Sequence, residues 1–167
     1  MRKKLLPVFI VFLVLLVDRV SKFIIIRKYS EGEGIELLPG VFHLTRVNNQ
    51  GAAFGVLRES PQALVFISIL FIFFLIFYIF FNLYPALGRE TDPEKEKWAF
   101  FSACAWSLVM AGAAGNLFDR MMYGYVIDFL DLRVWPVFNF ADISICIGAF
   151  FAAFGFIQKK KPRMEHQ

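Results

Sequence analysis

Ala63–Leu83 reads ALVFISILFIFFLIFYIFFNL, an apolar run without a single charged residue. A helix of ~17–25 residues crosses a bilayer, so this stretch is long enough to do so. Three further stretches share that length and character: about Leu5–Ile26, about Trp98–Asn116 and about Asn139–Ile157. The rest of the composition agrees. Of 167 residues, 58% are hydrophobic, only 19% are charged, and Phe occurs 22 times. Soluble domains average roughly 45–50% apolar and about 25% charged. A water-soluble chain of ~150 residues buries only about 68–70% of its surface, too little to hide this much apolar area. Soluble, disordered, collagenous and disulfide-scaffold classes are excluded. The expected fold is an all-α polytopic membrane protein, with four transmembrane helices and a small extracytoplasmic β element. No repeat or inter-domain linker interrupts it, so residues 1–167 read as one integral membrane domain.

The net charge of +4 sits in clusters rather than in a patch. Arg2, Lys3 and Lys4 precede the first apolar run, and Lys159, Lys160, Lys161 and Arg163 follow the last. Clusters that abut spans are topology signals, not a nucleic-acid footprint. Four spans place both termini on one side, and the clusters put that side in the cytoplasm. A cleavable signal sequence is not expected in Leu5–Ile26, because the run is long and carries Asp18, Arg19 and Lys22. Cys104 and Cys146 lie in apolar runs and are expected as packed thiols.

The outer loops differ in character. Tyr29–Leu57 has glycine turns around the strand-like run Val41–Val47, and Tyr125–Val134 alternates acidic and apolar residues. Together they predict a β element resting on the outer membrane surface. Gly88–Lys97 is mixed in charge and reads as a connector.

At ~1.5 Å rise per residue, Asp18 lies roughly 20 Å and Lys22 roughly 26 Å along the first span. Asn116 lies roughly 27 Å along the third, with Asp119 and Arg120 just beyond, and Asp142 lies roughly 5 Å below the outer edge of the fourth. All reach the outer leaflet. Ionisable groups are expensive in lipid, so their convergence predicts a polar pocket there. Asp18, Ser21 and Lys22 share one helical stripe, as do Asn116, Asp119 and Arg120. Arg120 is expected to orient a neighbouring carboxylate.

The sequence contains no zinc motif, nucleophile elbow or phosphate-binding glycine loop, so no metal or cofactor is expected. His43 reads as a solvated strand residue. What remains is carboxylate chemistry. Asp128, in Val126-Ile-Asp-Phe129, and Asp142, in Phe138-Asn-Phe-Ala-Asp142, are close enough in sequence to meet at the outer interface. Two carboxylates about 4 Å apart repel by ~4 kcal/mol at an effective dielectric of ~20, so they share one proton near neutral pH. Such a pair serves as base and acid toward a water and a substrate. On this physics alone, catalysis, a proton or cation pathway and a structural clamp all stay open. Asp131 reads as a surface residue of the β element. The few polar residues of the second span and of the inner half of the fourth count against a pathway.

Five motifs in order then carry a resemblance over nearly the whole chain. They are Asp18-Arg-Val-Ser-Lys22, Asn49-Gln-Gly-Ala-Ala-Phe54, Gly115-Asn-Leu-Phe-Asp-Arg120, Val126-Ile-Asp-Phe129 and Phe138-Asn-Phe-Ala-Asp142. The chain resembles lipoprotein signal peptidase, also called signal peptidase II, the bacterial intramembrane aspartic peptidase. The resemblance implies a catalytic pair, Asp128 and Asp142. It implies a site shaped by Asp18, Lys22, Asn49, Phe54, Asn116, Asp119, Arg120 and Asn139. It implies a metal-free endopeptidase of the bacterial cytoplasmic (inner) membrane, with its active site near the outer leaflet. The substrate would be a diacylglyceryl-modified prolipoprotein, cut just before the lipidated cysteine. Membrane lipid is the other expected partner, and nothing requires more than a monomer. The alternative is a small proton- or cation-coupled membrane protein using the same aspartates.

Overall fold

The computed structural model describes residues 2–51, 60–83 and 92–159. Helix α1 spans Arg2–Lys28, α2 spans Pro61–Tyr78 and ends in a π-helical turn at Ile79–Leu83, α3 spans Pro93–Tyr123, and α4 spans Phe140–Lys159. Strands β1 (Gly34–Leu38) and β2 (Phe42–Asn49) follow α1, and β3 (Val126–Asp131) joins α3 to α4. Among the described residues, three helices are long and apolar enough to cross a membrane: Gln62–Phe81, Pro93–Tyr123 and Phe140–Ile157. Helix α1 differs because Asp18, Arg19 and Lys22 interrupt its apolar run, although Val8, Phe9 and Phe12 are exposed along it.

Local sequence sets these boundaries. Asp92 caps α3 by accepting from the Glu94 N–H at 2.9 Å, and Pro93 takes the first turn, where its missing N–H is harmless. Helix α3 therefore begins before, and ends beyond, the expected span 98–116. It stops at Gly124, whose φ of 80° allows the left-handed turn that sends the chain into β3. Close contact between α3 and α4 depends on small residues. A Cβ at Gly112 would collide with the Ala141 carbonyl, and one at Gly148 would lie 2.7 Å from the Ala105 carbonyl oxygen.

The sheet is antiparallel in the order β1-β2-β3. Asn49 faces Val126, Val47 faces Asp128 and His43 faces Asp131, with a bulge between Leu44 and Val47. Ile25 of α1 packs with Ile127, Phe129 and Leu130 of β3 in a buried cluster that also meets Phe138, Phe140 and Ile143. This cluster seats the β element between the end of α1 and the start of α4. The expected strand Val41–Val47 is thus β2, extended to Asn49.

Two surface expectations need correction. Asp131 is only 6% exposed, and Thr45 and Arg133 both donate to its carboxylate. His43 is half-buried, with Nε2 3.2 Å from Glu36 Oε1 on the neighbouring strand.

Candidate active site

Two polar layers meet where α1, α3, α4 and β3 converge. The inner layer is ionic. Asp18, Lys22 and Asp119 are each at most 1% exposed. Lys22 Nζ lies 3.0 Å from Asp18 Oδ1 and 2.7 Å from Asp119 Oδ2. Arg19 completes the set, 2.6 Å from Asp119 Oδ1 and 2.5 Å from Asp18 Oδ2. It also donates to the Gly115 carbonyl at 3.0 Å, and its guanidinium lies over the Phe118 ring. Two cations face two anions, so the buried cluster is electroneutral, the condition under which buried ions are tolerated. Asp119 also accepts from the Ile127 N–H at 3.2 Å, which ties β3 to the cluster.

The outer layer is built of amides. Lys22 donates to Asn116 Oδ1 at 3.1 Å, and Asn139 Nδ2 donates to the same oxygen at 3.1 Å. With its oxygen occupied, Asn116 turns its Nδ2 to Asp142 Oδ1, 2.7 Å away. Asn139 is fully buried and touches both aspartates. Its Nδ2 donates to Asp128 Oδ1 at 2.6 Å, and its backbone N–H donates to Asp142 Oδ2 at 3.1 Å. Asn139 Oδ1 accepts from the Asp142 N–H at 3.0 Å, a reciprocal pair that caps α4. Asn49 Nδ2 holds the other Asp128 oxygen at 2.8 Å.

Both carboxylates open onto one cavity of about 430 Å³. Asn49, Gly51, Asn116 and Arg120 line its polar side, and Trp135, Pro136, Phe138 and Ile145 its apolar side. Burial, and after it the neighbouring Asp142 charge, push the Asp128 carboxyl up to about 7, against the opposing pull of Asn49, Asn139 and Lys22. A carboxyl titrating near neutrality beside a second carboxylate has the properties of a shared-proton pair.

The family model described as signal peptidase (SPase) II matches residues 10–158 of this sequence. The chain belongs to the signal peptidase II family. Lipoprotein signal peptidase of Halothermothrix orenii is 38% identical over 140 residues, 84% of this chain and 87% of that protein. Its counterpart in Moorella thermoacetica is 38% identical over 136 residues, 81% and 82% of the two chains. A bacterial membrane enzyme solved by the in meso method at 2.3 Å superposes with a TM-score of 0.81 at 28% identity, covering 96% of this chain and 93% of that one.

Most of the residues singled out from the sequence come together in this signal peptidase II fold. Asp18, Lys22, Asn49, Asn116, Asp119, Asp128, Asn139 and Asp142 form one connected hydrogen-bond and ion-pair network. Arg120 lines the cavity, donates to the Gly51 carbonyl at 3.2 Å, and its guanidinium also interacts with the charges of Asp142, Asp128 and Asp119. Ser21 bonds only the Asp18 carbonyl of its own helix. Phe54 lies outside the described residues. Cys146 is exposed and lines the cavity, one helical turn beyond Asp142, so it is not a packed thiol.

Sequence reasoning missed two features. Arg19 carries no sequence signal beyond its charge within the first apolar run, yet it supplies half of the positive charge of the ionic cluster. The wall Trp135–Phe138 carried no motif signal beyond Phe138, although a Trp-Pro pair before a helix start marks a rigid turn.

Proposed function

We propose that this protein is an aspartic endopeptidase that removes signal peptides from prolipoproteins, cutting before the diacylglyceryl-modified cysteine. The observation that carries the reading is that Asp128 and Asp142 open onto one cavity while Asn139 touches both. With one proton shared between them, the ionised member takes a proton from a water, and the oxygen of that water attacks the scissile carbonyl. The protonated member donates to the carbonyl oxygen as the tetrahedral intermediate forms. Collapse breaks the C–N bond, the leaving amine gains a proton, and the pair returns to its starting state. Asn49, Asn116 and Asn139 hold the carboxylates in register throughout, and Asp18, Lys22, Asp119 and Arg120 hold the asparagines and the loop. Phe54 would contact substrate.

In this reading residues 1–167 form one membrane domain, α1 is a fourth span, and both termini are cytoplasmic in the bacterial inner membrane. The exposed apolar flank of α1 supports its crossing, since its three mid-helix charges are turned inward or paired. The site then opens at the outer leaflet, where a lipid-anchored cysteine sits, and a monomer suffices. The proton- or cation-coupled alternative gains no support from the family match.

The test is cleavage of one prolipoprotein by purified protein in detergent, with and without its diacylglyceryl group and with chelator throughout. Cleavage of the lipidated form alone is expected. Failure of a folded, monodisperse sample to cleave either form would overturn the assignment.

A further inference from the structure

Between β3 and α4 the chain makes an excursion through Leu132–Val137 whose base is clamped. Leu130 N–H donates to the Phe138 carbonyl at 2.8 Å, and Phe138 N–H returns a bond to the Leu130 carbonyl at 3.1 Å. The shoulder of the excursion is unusual. Among the described residues Arg133 is the non-glycine with positive φ, at 64°. An L-residue is disfavoured there because its Cβ crowds the following carbonyl. Two contacts hold it: across the turn the Val134 N–H donates to the Leu132 carbonyl at 2.7 Å, and from the side it is braced by Asp131. Its Oδ1 accepts from the Arg133 N–H at 2.8 Å, and its Oδ2 accepts from the Arg133 guanidinium and the Thr45 hydroxyl, each at 3.2 Å. Immediately beyond this turn, Val134 points to the exterior, 91% exposed, and Trp135, Pro136, Val137 and Phe138 form one wall of the cavity that holds Asp128 and Asp142.

We propose that Asp131 is a positioning residue for the proteolytic reaction: by holding Arg133 in the left-handed conformation, it fixes Trp135–Phe138 as a rigid lip against which the substrate seats. The inference rests on the reading of that cavity as the peptide site. Without the Asp131 carboxylate, only the Val134–Leu132 backbone bond is left to hold Arg133 at positive φ, and the segment before Phe138 loosens. The clamp at Leu130 and Phe138 remains, and so do the bonds from Asn49 and Asn139 to Asp128, none of which involves Asp131. Loss of Asp131 therefore acts on substrate seating and leaves the chemical step alone.

The test compares Asp131→Asn, Asp131→Ala and the double variant Asp131→Ala/Arg133→Gly. Asp131→Ala is expected to raise KM roughly tenfold while kcat changes less than about twofold, the pattern of a lost binding contribution. Asp131→Asn, which keeps an acceptor and the side-chain shape, falls between. Glycine adopts positive φ freely, so Arg133→Gly in the Asp131→Ala background brings KM back toward wild type. A general loss of sheet stability would not be rescued in this way. A second readout needs no activity. In a Cys104→Ser background, the alkylation rate of Cys146 on the cavity wall rises in Asp131→Ala and returns in the double variant. A KM and a Cys146 rate both unchanged in Asp131→Ala, or a KM rise that Arg133→Gly does not reverse, would overturn the lip. A shifted Cys146 rate in a protein whose wild-type form cleaves no prolipoprotein would uphold the lip and sink the peptidase reading.

Discussion

Replacing Asn139 separates two jobs that one side chain performs. Its Oδ1 caps α4 by accepting from the Asp142 N–H, and its Nδ2 donates to Asp128 Oδ1 at 2.6 Å. Asn139→Ala removes both. The lost cap costs about 1 kcal/mol. Leaving the Asp128 and Asn116 oxygens short of a buried donor adds about 1–3 kcal/mol for each. The sum is a destabilisation of about 3–7 kcal/mol. Asn139→Ser keeps a capping oxygen and loses only the amide donation, so it should be more stable than Asn139→Ala by about 1 kcal/mol. Turnover responds differently. A hydrogen bond to a charged group is worth about 1.5–3 kcal/mol, so both variants should lose about 10- to 150-fold in kcat. The Asn139 bond favours the ionised form of Asp128, so its loss moves Asp128 further above about 7. The alkaline limb of the residual activity should shift upward with it. Thermal unfolding in detergent and a cleavage time course over pH give all three numbers. An Asn139→Ser enzyme with wild-type turnover would refute the claim that this amide orients Asp128.

Four other outcomes follow from the same geometry. Wild-type kcat/KM should fall as pH rises through about 7, because deprotonation of Asp128 removes the proton the pair must donate, and a profile flat from pH 6 to 9 would contradict this. Asp119→Asn should lower thermal stability by about 3–5 kcal/mol, since it leaves Arg19 and Lys22 short of a buried anion, and chemical denaturation in mixed micelles would measure the loss. Lys22→Met should leave Asn116 Oδ1 held by Asn139 alone and lower kcat more than it raises KM, as steady-state kinetics on the folded fraction would show. Gly148→Val should prevent α4 from seating on Ala105 and Val109 of α3, and is expected to yield little monodisperse protein on size-exclusion chromatography.

Three of the four expected spans were legible because an apolar run states its own environment. Ala63–Leu83 could belong only in lipid, and the structure carries it as α2 with its π-helical turn. The convergence of the acids was legible from depth along the helices alone, since rise per residue is fixed. Roles that depend on partners far away in sequence were not. Arg19 meets Asp119 across a separation of 100 residues, and nothing in the first span announces that partner. Arg120, on the same stripe as Asp119, does lie among the carboxylates, but its bond to the Gly51 carbonyl joins residues 69 positions apart, and nothing in the third span announces that partner. Asp131 looked like a surface acid because acidic and apolar residues alternate in β3. Burial of β3 on both faces overrides that pattern, and Thr45 with Arg133 satisfies the carboxylate inside.

The most direct test of the account is a side-by-side cleavage assay of wild type, Asp128→Asn and Asp142→Asn on a diacylglyceryl-modified prolipoprotein. Each sample is first shown to be folded by its unfolding curve. The account predicts that both variants stay folded and that neither cleaves. Substantial turnover by either one would contradict the shared-proton pair on which the whole mechanism stands.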